Sequence, residues 1–241
     1  MQMNSFANKE FLALIRGGDF AHPGEEEAID LVLSHLNLSA NETVLDAGCG
    51  RGGTADAIGK KTGAVVIGVD LDAESMAFAN ATYQDSQFLA GDITKLGGMN
   101  LPKVDAIMAF NSLYAVAELD TCFGAFCDIA SAAARLAIFD YVAYDAAALK
   151  ASDCLPPSVH TMSEMRSCPE RHGWTCRRIV NLDLEYGAWY RSFLDRMDEQ
   201  KDMLIAARSR ETFNAVRTKY ADMLGCLETG VLGAALHVFD R

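Results

Sequence analysis

Three aspartates, Asp46, Asp70 and Asp92, each close a short apolar run, and a cluster of glycines follows the first of them. Gly48, Gly50 and Gly53 satisfy G-x-G-x-x-G, the spacing in which a strand passes through a tight turn into a helix whose first amides face a nucleotide. Glycine suits that turn because it accepts positive φ and lets a ligand approach the backbone. Glycine turns also occur for purely structural reasons, so the neighbours decide. Asp46 stands two residues before Gly48. A carboxylate there repels the pyrophosphate of a dinucleotide and favours a ligand bearing an ammonium and a sulfonium. Asp70 ends the next apolar run, where an acid accepts both hydroxyls of a ribose, a feature shared by several nucleotide cofactors. Asp72 suits a helix cap.

The ammonium and sulfonium pattern is that of S-adenosylmethionine (SAM). The stretch Val44-Leu45-Asp46-Ala47-Gly48-Cys49-Gly50 resembles motif I of the class I SAM-dependent methyltransferases. The resemblance is strong over residues 40–142. It implies a Rossmann-like α/β fold with seven strands, mostly parallel with an antiparallel last strand, helices on both faces and a helical insert before the last strand. It also implies methyl transfer from SAM to a small-molecule acceptor, N-methylation favoured over O or C, with S-adenosylhomocysteine as product. The cofactor residues it assigns are Asp46, Ala47, Gly48, Cys49, Gly50, Asp70, Leu71, Asp92, Ile93, Phe110 and Asn111. Within that set the Asp92 carboxylate meets the adenine amine and the Ile93 amide meets the ring. An ordinary Gly91-Asp92 turn is the structural alternative.

Phe110, Asn111 and Tyr114 follow the fourth apolar run, where open α/β sheets bind ligands. Ser112-Leu113-Tyr114-Ala115-Val116 is similar to a Ser-Leu-Tyr-His-Val pattern of small-molecule methyltransferases, with Ala115 in the histidine's place, so no base comes from that position. The loop lacks the Pro-Pro-aromatic signature of DNA and protein-amide methylation. Tyr186-Gly187-Ala188-Trp189-Tyr190 is similar to the Tyr-x-x-Trp-Tyr segment over the substrate in glycine- and sarcosine-type N-methyltransferases. Quinone-biosynthesis C-methyltransferases are a second branch of likeness. Substrate contacts are thus expected from Tyr114, Tyr186, Trp189 and Tyr190, with cation–π attraction from Trp189 and Tyr190 for a methylated ammonium. An amine acceptor needs no base. For other acceptors the candidates are His22, Tyr114, His160 and Tyr190. The favoured reading of His22 is a surface or capping histidine.

The elements that must position these groups follow from periodicity. Strands are expected at 43–47, 64–69, 87–90, 104–110, 135–141, 174–182 and 233–239. Phe11 to Ile15, closed by Gly17-Gly18, and a helix with Pro23 near its first position form an N-terminal segment over 1–38. The cofactor-binding core spans 40–182, a lid-like insert 183–230 and the last strand 231–241, all within one domain. In the insert, Trp189, Phe193 and Met197 share one face and Phe213, Val216, Tyr220 and Met223 another, a pattern for packing two helices together. Pro156-Pro157 breaks the chain after the fifth strand.

Composition narrows the partners. The 241 residues carry a formal net charge of −12, which disfavours nucleic acid. No apolar run reaches membrane-spanning length, and Met1 to Ser5 start no signal peptide, so a cytoplasmic protein is expected. The seven cysteines form no C-x-x-C pair, so neither a metal nor thioredoxin-like chemistry is expected. Oligomeric state is not legible. Two other readings stay open: an NAD(P)-dependent oxidoreductase using the literal glycine motif, and a non-catalytic SAM-binding relative.

Overall fold

A computed structural model describes residues 5–152 and 158–241. Among these, seven strands form one sheet: β1 (Thr43–Ala47), β2 (Val65–Asp70), β3 (Gln87–Ala90), β4 (Val104–Phe110), β5 (Ala130–Ala143), β6 (Thr175–Asn181) and β7 (Leu232–Asp240). Their order is β3-β2-β1-β4-β5-β7-β6. The first five pair in parallel, and β7 runs antiparallel between β5 and β6. The expected mostly parallel sheet with an antiparallel last strand is therefore the observed one.

Both faces are covered, which is why the inner strands read as apolar runs rather than as alternation. Val44, Val66, Met108 and Phe139 point to one face and pack in one core with α1 (Phe6–Arg16), α2 (Glu25–Leu36), α3 (Gly53–Thr62) and α4 (Ala73–Thr82). The insert, α8 (Asp183–Glu199), α9 (Lys201–Ala207) and α10 (Arg210–Glu228), joins the same core. Leu45, Ile67, Ile107 and Ile138 point the other way, toward α5 (Leu119–Ile129) and α7 (Met162–Arg171). Each such fully buried side chain contributes roughly 1.5–3 kcal/mol. A short α6 (Ala146–Ser152) follows β5. None of the described helices is long and apolar enough to cross a membrane.

The strand order reverses between β1 and β4, and a crevice opens outside the carboxyl ends of strands at such a switch point. The chemistry-bearing residues sit there because each lies at or just beyond the carboxyl end of a strand, Asp46 and Asp70 within β1 and β2 and Asp92 and Asn111 after β3 and β4.

Several boundaries differ from expectation. Pro23 lies ahead of α2, whose N-cap is Gly24. The fifth strand begins at Ala130 instead of Arg135. The chain leaves α5 directly into the sheet, and pairing of Ala130 with Val104 overrides alanine's weak strand preference. The insert holds three helices instead of two, the chain breaking at Gln200 and again before Ser209, whose hydroxyl caps α10 by accepting from Thr212 N–H. Pro156-Pro157 lies outside the described residues.

Candidate active site

The turn after β1 is pinned to the end of β2. Gly48 N–H and Cys49 N–H both donate to the Val69 carbonyl, at 2.7 and 3.1 Å, and Gly50 N–H donates to Asp70 Oδ2 at 2.9 Å. Gly48 has φ +84°, and a Cβ on it would lie 2.4 Å from Ser112 Cβ. Ser112 itself donates to the Ala47 carbonyl at 2.6 Å, so the turn and the loop after β4 are locked together. Only glycine fits at Gly48.

Asp46 is 1% exposed and its Oδ2 has no hydrogen-bond partner. Burial, followed by the negative charge of Asp70, lifts its carboxyl to about 7. Asp46 stands at the root of the glycine turn, whose Gly48 and Gly50 line the large cavity. Asn111, at the end of β4, shows the complementary vacancy. Its Oδ1 accepts from Tyr186 OH at 2.9 Å, while its Nδ2 is buried without a partner, and the residue holds a positive φ of 45°. An unpaired acceptor and an unpaired donor thus flank the switch point, and leaving both unmet costs roughly 1–3 kcal/mol each. Such a pair matches the ammonium and carboxylate of an α-amino acid.

Asp70 has both oxygens engaged. Besides Gly50 N–H, it accepts from Lys9 Nζ at 3.0 Å and from Asp72 N–H at 3.0 Å. Lys9 comes from α1 and also reaches Asp72 Oδ2 at 3.5 Å. Asp72 caps α4 by accepting from Glu74 N–H. Asp92 caps a 3-10 turn that begins at Ile93, accepting from Thr94 N–H at 2.9 Å and Thr94 Oγ1 at 2.7 Å, and these bonds hold its carboxyl below the ordinary value.

A cavity of about 1330 Å³ is lined by Gly48, Gly50, Asp70, Leu71, Asp92 and Ile93, by Asn111 and Tyr114 after β4, and by Arg16, Tyr141, Lys219, Tyr220 and Met223. Tyr141 and Tyr190 share a hydrogen bond between hydroxyls, and burial raises both phenols well above their ordinary value. Arg16 donates to Tyr220 OH at 3.3 Å and to the Phe20 carbonyl at 3.0 Å, and pairs with Glu25 at 3.6 Å.

Ala47, Cys49 and Phe110, expected at the cofactor, are buried behind the lining; Cys49 Sγ contacts Met76 Sδ at 3.8 Å. Tyr186 and Tyr190 likewise stand behind the wall, supporting Asn111 and Tyr141. Trp189 turns away. Its Nε1 donates to Glu27 Oε2 at 3.0 Å, and its indole lies 2.7 Å from a Cβ built on Gly24. His22 is fully buried, with Nδ1 on the Pro23 carbonyl and Nε2 on Thr54 Oγ1, both at 3.0 Å, and its ring stacks on Phe110 at 4.6 Å. Burial drops it to about 3, aided by the Arg16 charge, so it is neither a surface cap nor an available base. His160 Nε2 meets the Val116 carbonyl at 2.7 Å. Lys9, Arg16, Tyr141 and Lys219 were not singled out from the sequence. The one signal for Arg16 is a charge ending an apolar helical stripe.

A family profile described as "Methyltransferase domain" matches residues 38–210. No curated protein matches the sequence. Solved structures do. Phosphoethanolamine N-methyltransferase 2 of Haemonchus contortus, in complex with phosphomonomethylethanolamine and S-adenosylhomocysteine, is 14% identical with a TM-score of 0.89, covering 100% of this chain and 58% of that one. This chain therefore spans well under two thirds of that protein. The cyclopropane synthase MmaA2 of Mycobacterium tuberculosis is 16% identical with a TM-score of 0.85, covering 99% and 96%. A putative sarcosine dimethylglycine methyltransferase of Galdieria sulphuraria is 13% identical with a TM-score of 0.79, covering 89% and 84%. At these identities the likeness is one of fold.

Proposed function

The chain belongs to the methyltransferase-domain family, and we propose that it transfers a methyl group from SAM to a small-molecule amine. The observation that carries this reading is the single continuous cavity. Its volume of about 1330 Å³ exceeds the roughly 300–1,000 Å³ that holds one drug-sized ligand. A second molecule fits beside the cofactor, which disfavours the non-catalytic alternative. Family membership removes the oxidoreductase reading.

The residues present fit SAM. Gly48 and Gly50 give its methionine part close access to the backbone, and Asp46 Oδ2 and Asn111 Nδ2 suit its ammonium and carboxylate. Asp70 takes the ribose as Lys9 yields or shares its oxygen, and Asp92 and Ile93 face the adenine. When bound, the cofactor supplies an activated methyl group whose sulfur keeps the bonding electrons on transfer. The chain's task is then alignment and exclusion of water, worth up to roughly 7–11 kcal/mol.

N-methylation is favoured because an amine attacks with its own lone pair and afterwards releases a proton to solvent. Three of the four base candidates read from the sequence are committed elsewhere, His22 through both nitrogens, His160 to a carbonyl and Tyr190 to Tyr141, while Tyr114 lines the cavity. Tyr141, Tyr220 and Tyr114 form the acceptor chamber, and the 183–230 insert covers it through Lys219, Tyr220 and Met223 of α10. Trp189 has no part in the chamber.

The test is a panel of amines, phenols and carbon acids incubated with SAM and the protein, read as S-adenosylhomocysteine formed per acceptor. Turnover confined to amines supports the proposal. Turnover only with phenols or carbon acids refutes the choice of nitrogen, and none with any class favours the non-catalytic reading.

A further inference from the structure

On the opposite face of the sheet, α7 carries Cys168, and its C-cap His172 follows one helical turn later. The first turn of α5 brings Asp120 against both. Cys168 Sγ, His172 Nε2 and an Asp120 carboxylate oxygen all lie within 4.8 Å of one another. Asp120 Oδ1 is 3.1 Å from His172 Nε2 and 3.9 Å from Cys168 Sγ. A zinc-type ion bound at about 2.0–2.3 Å sets tetrahedral ligand atoms about 3.3–3.7 Å apart. The observed separations from Asp120 fall within a few tenths of an ångström of that range.

We propose that Asp120, Cys168 and His172 form a site for a borderline-soft divalent ion of the zinc class. Three protein groups bind, and water fills a fourth position on the exposed Asp120 side. The ligand set mixes thiolate, imidazole and carboxylate, which suits zinc over magnesium or calcium. Binding takes Cys168 as thiolate, its proton passing to the buffer. The expectation of no metal rests on the lack of C-x-x-C pairs. Cys168 and His172 use the other short chelating spacing, i and i+4 on one helix face.

The surroundings bear on the site in two ways. Cys127 Sγ donates to the His172 carbonyl at 3.2 Å, which fixes the end of α7 and hence the imidazole. Arg171 Nη2 lies 3.4 Å from the same Asp120 oxygen and competes with an ion. Its side chain is 59% exposed and can swing into solvent. An ion here ties α5 to α7. Because Glu118 and Thr121 at the start of α5 line the large cavity, the tie also steadies that wall. The site is independent of the methyl-transfer reading.

The full chain is titrated with Co2+, a spectroscopic substitute for Zn2+, and separately with Zn2+ in competition with a chromophoric chelator. One Co2+ per chain is expected, with a thiolate-to-cobalt charge-transfer band that Cys168→Ser abolishes. His172→Ala and Asp120→Ala should weaken Zn2+ by more than the roughly 10–100-fold that losing an outer-sphere partner costs. Asp120→Ala alters an exposed residue, so it remains informative if Cys168→Ser fails to fold. Zn2+ should raise the Tm of the wild type and leave that of Asp120→Ala unmoved. A wild type without the thiolate band, or an Asp120→Ala protein with unchanged Zn2+ affinity, overturns the proposal.

Discussion

Asp46→Asn keeps the size of the side chain and removes its charge, so it should move stability and cofactor affinity in opposite directions. In the free protein, burial lifts the Asp46 carboxyl from 3.8 to about 7. Three units at about 1.36 kcal/mol each give a penalty on the order of 4 kcal/mol for the carboxylate at pH 8. Asparagine escapes that penalty, but its own amide lacks a partner at the position of Oδ2 and returns roughly 1–3 kcal/mol. The free variant should therefore be more stable than wild type at pH 8 by roughly 1–3 kcal/mol in urea unfolding. The folded carboxyl lies above its unfolded value. Its stabilising contribution is thus complete below the ordinary carboxylate range and disappears as pH rises through about 7. The variant's advantage should follow the same window, growing as pH rises from about 4 and reaching its full size above about 7. Cofactor binding has the reverse sign. Losing a charge-assisted hydrogen bond of about 1.5–3 kcal/mol weakens SAM by roughly 10- to 150-fold in calorimetry at pH 8. Wild-type affinity should fall as pH drops below about 7, while the variant's stays level. A variant that is less stable when free and binds SAM as well as wild type would refute both the burial argument and the role given to Asp46.

Gly48→Ala should abolish SAM binding and lower the Tm by several degrees, because φ +84° strains alanine and its Cβ meets Ser112 at 2.4 Å. Retained binding in calorimetry would show that the turn yields. His22→Asn should lower stability by roughly 1–3 kcal/mol above about pH 6.5, a deficit that shrinks toward pH 3, since a depressed histidine loses its contribution as pH falls. The pH–rate profile should keep its shape; a lost inflection near neutrality would make His22 a base after all. Tyr141→Phe removes the hydroxyl shared with Tyr190 in the chamber wall and should raise the acceptor KM while leaving the SAM Kd unchanged. A fall in kcat by orders of magnitude at constant KM would instead assign the phenol to catalysis.

The first four strands were readable because each is a short apolar run ended by a residue with evident chemistry, Asp46, Asp70, Asp92 or Asn111. Their meeting at one crevice follows from topology, which local patterns do not carry. Lys9 and Arg16 could not be read, since each matters through a contact far along the chain, Lys9 with Asp70 and Arg16 with Tyr220. Trp189 shows the limit of helix periodicity. Tyr186 and Tyr190 are four residues apart and face inward together, whereas Trp189 is turned toward the seam with α2, where Glu27 takes its indole N–H. The β5 start is not legible because Ala130 to Ala134 carry no strand signal: Ala130 pairs with Val104, and the register then shifts before Arg135 pairs with Ala106. Cys168 and His172 are four residues apart and lack the C-x-x-C spacing, so the sequence pattern does not mark them as a pair.

Cofactor identity is the claim on which the rest depends, and isothermal titration calorimetry of one preparation with SAM, S-adenosylhomocysteine and NADH tests it most directly. One equivalent of SAM and one of S-adenosylhomocysteine should bind, and NADH should release no heat beyond dilution. Binding of NADH with none of SAM would contradict the roles given to Asp46, Asn111 and Asp70 together.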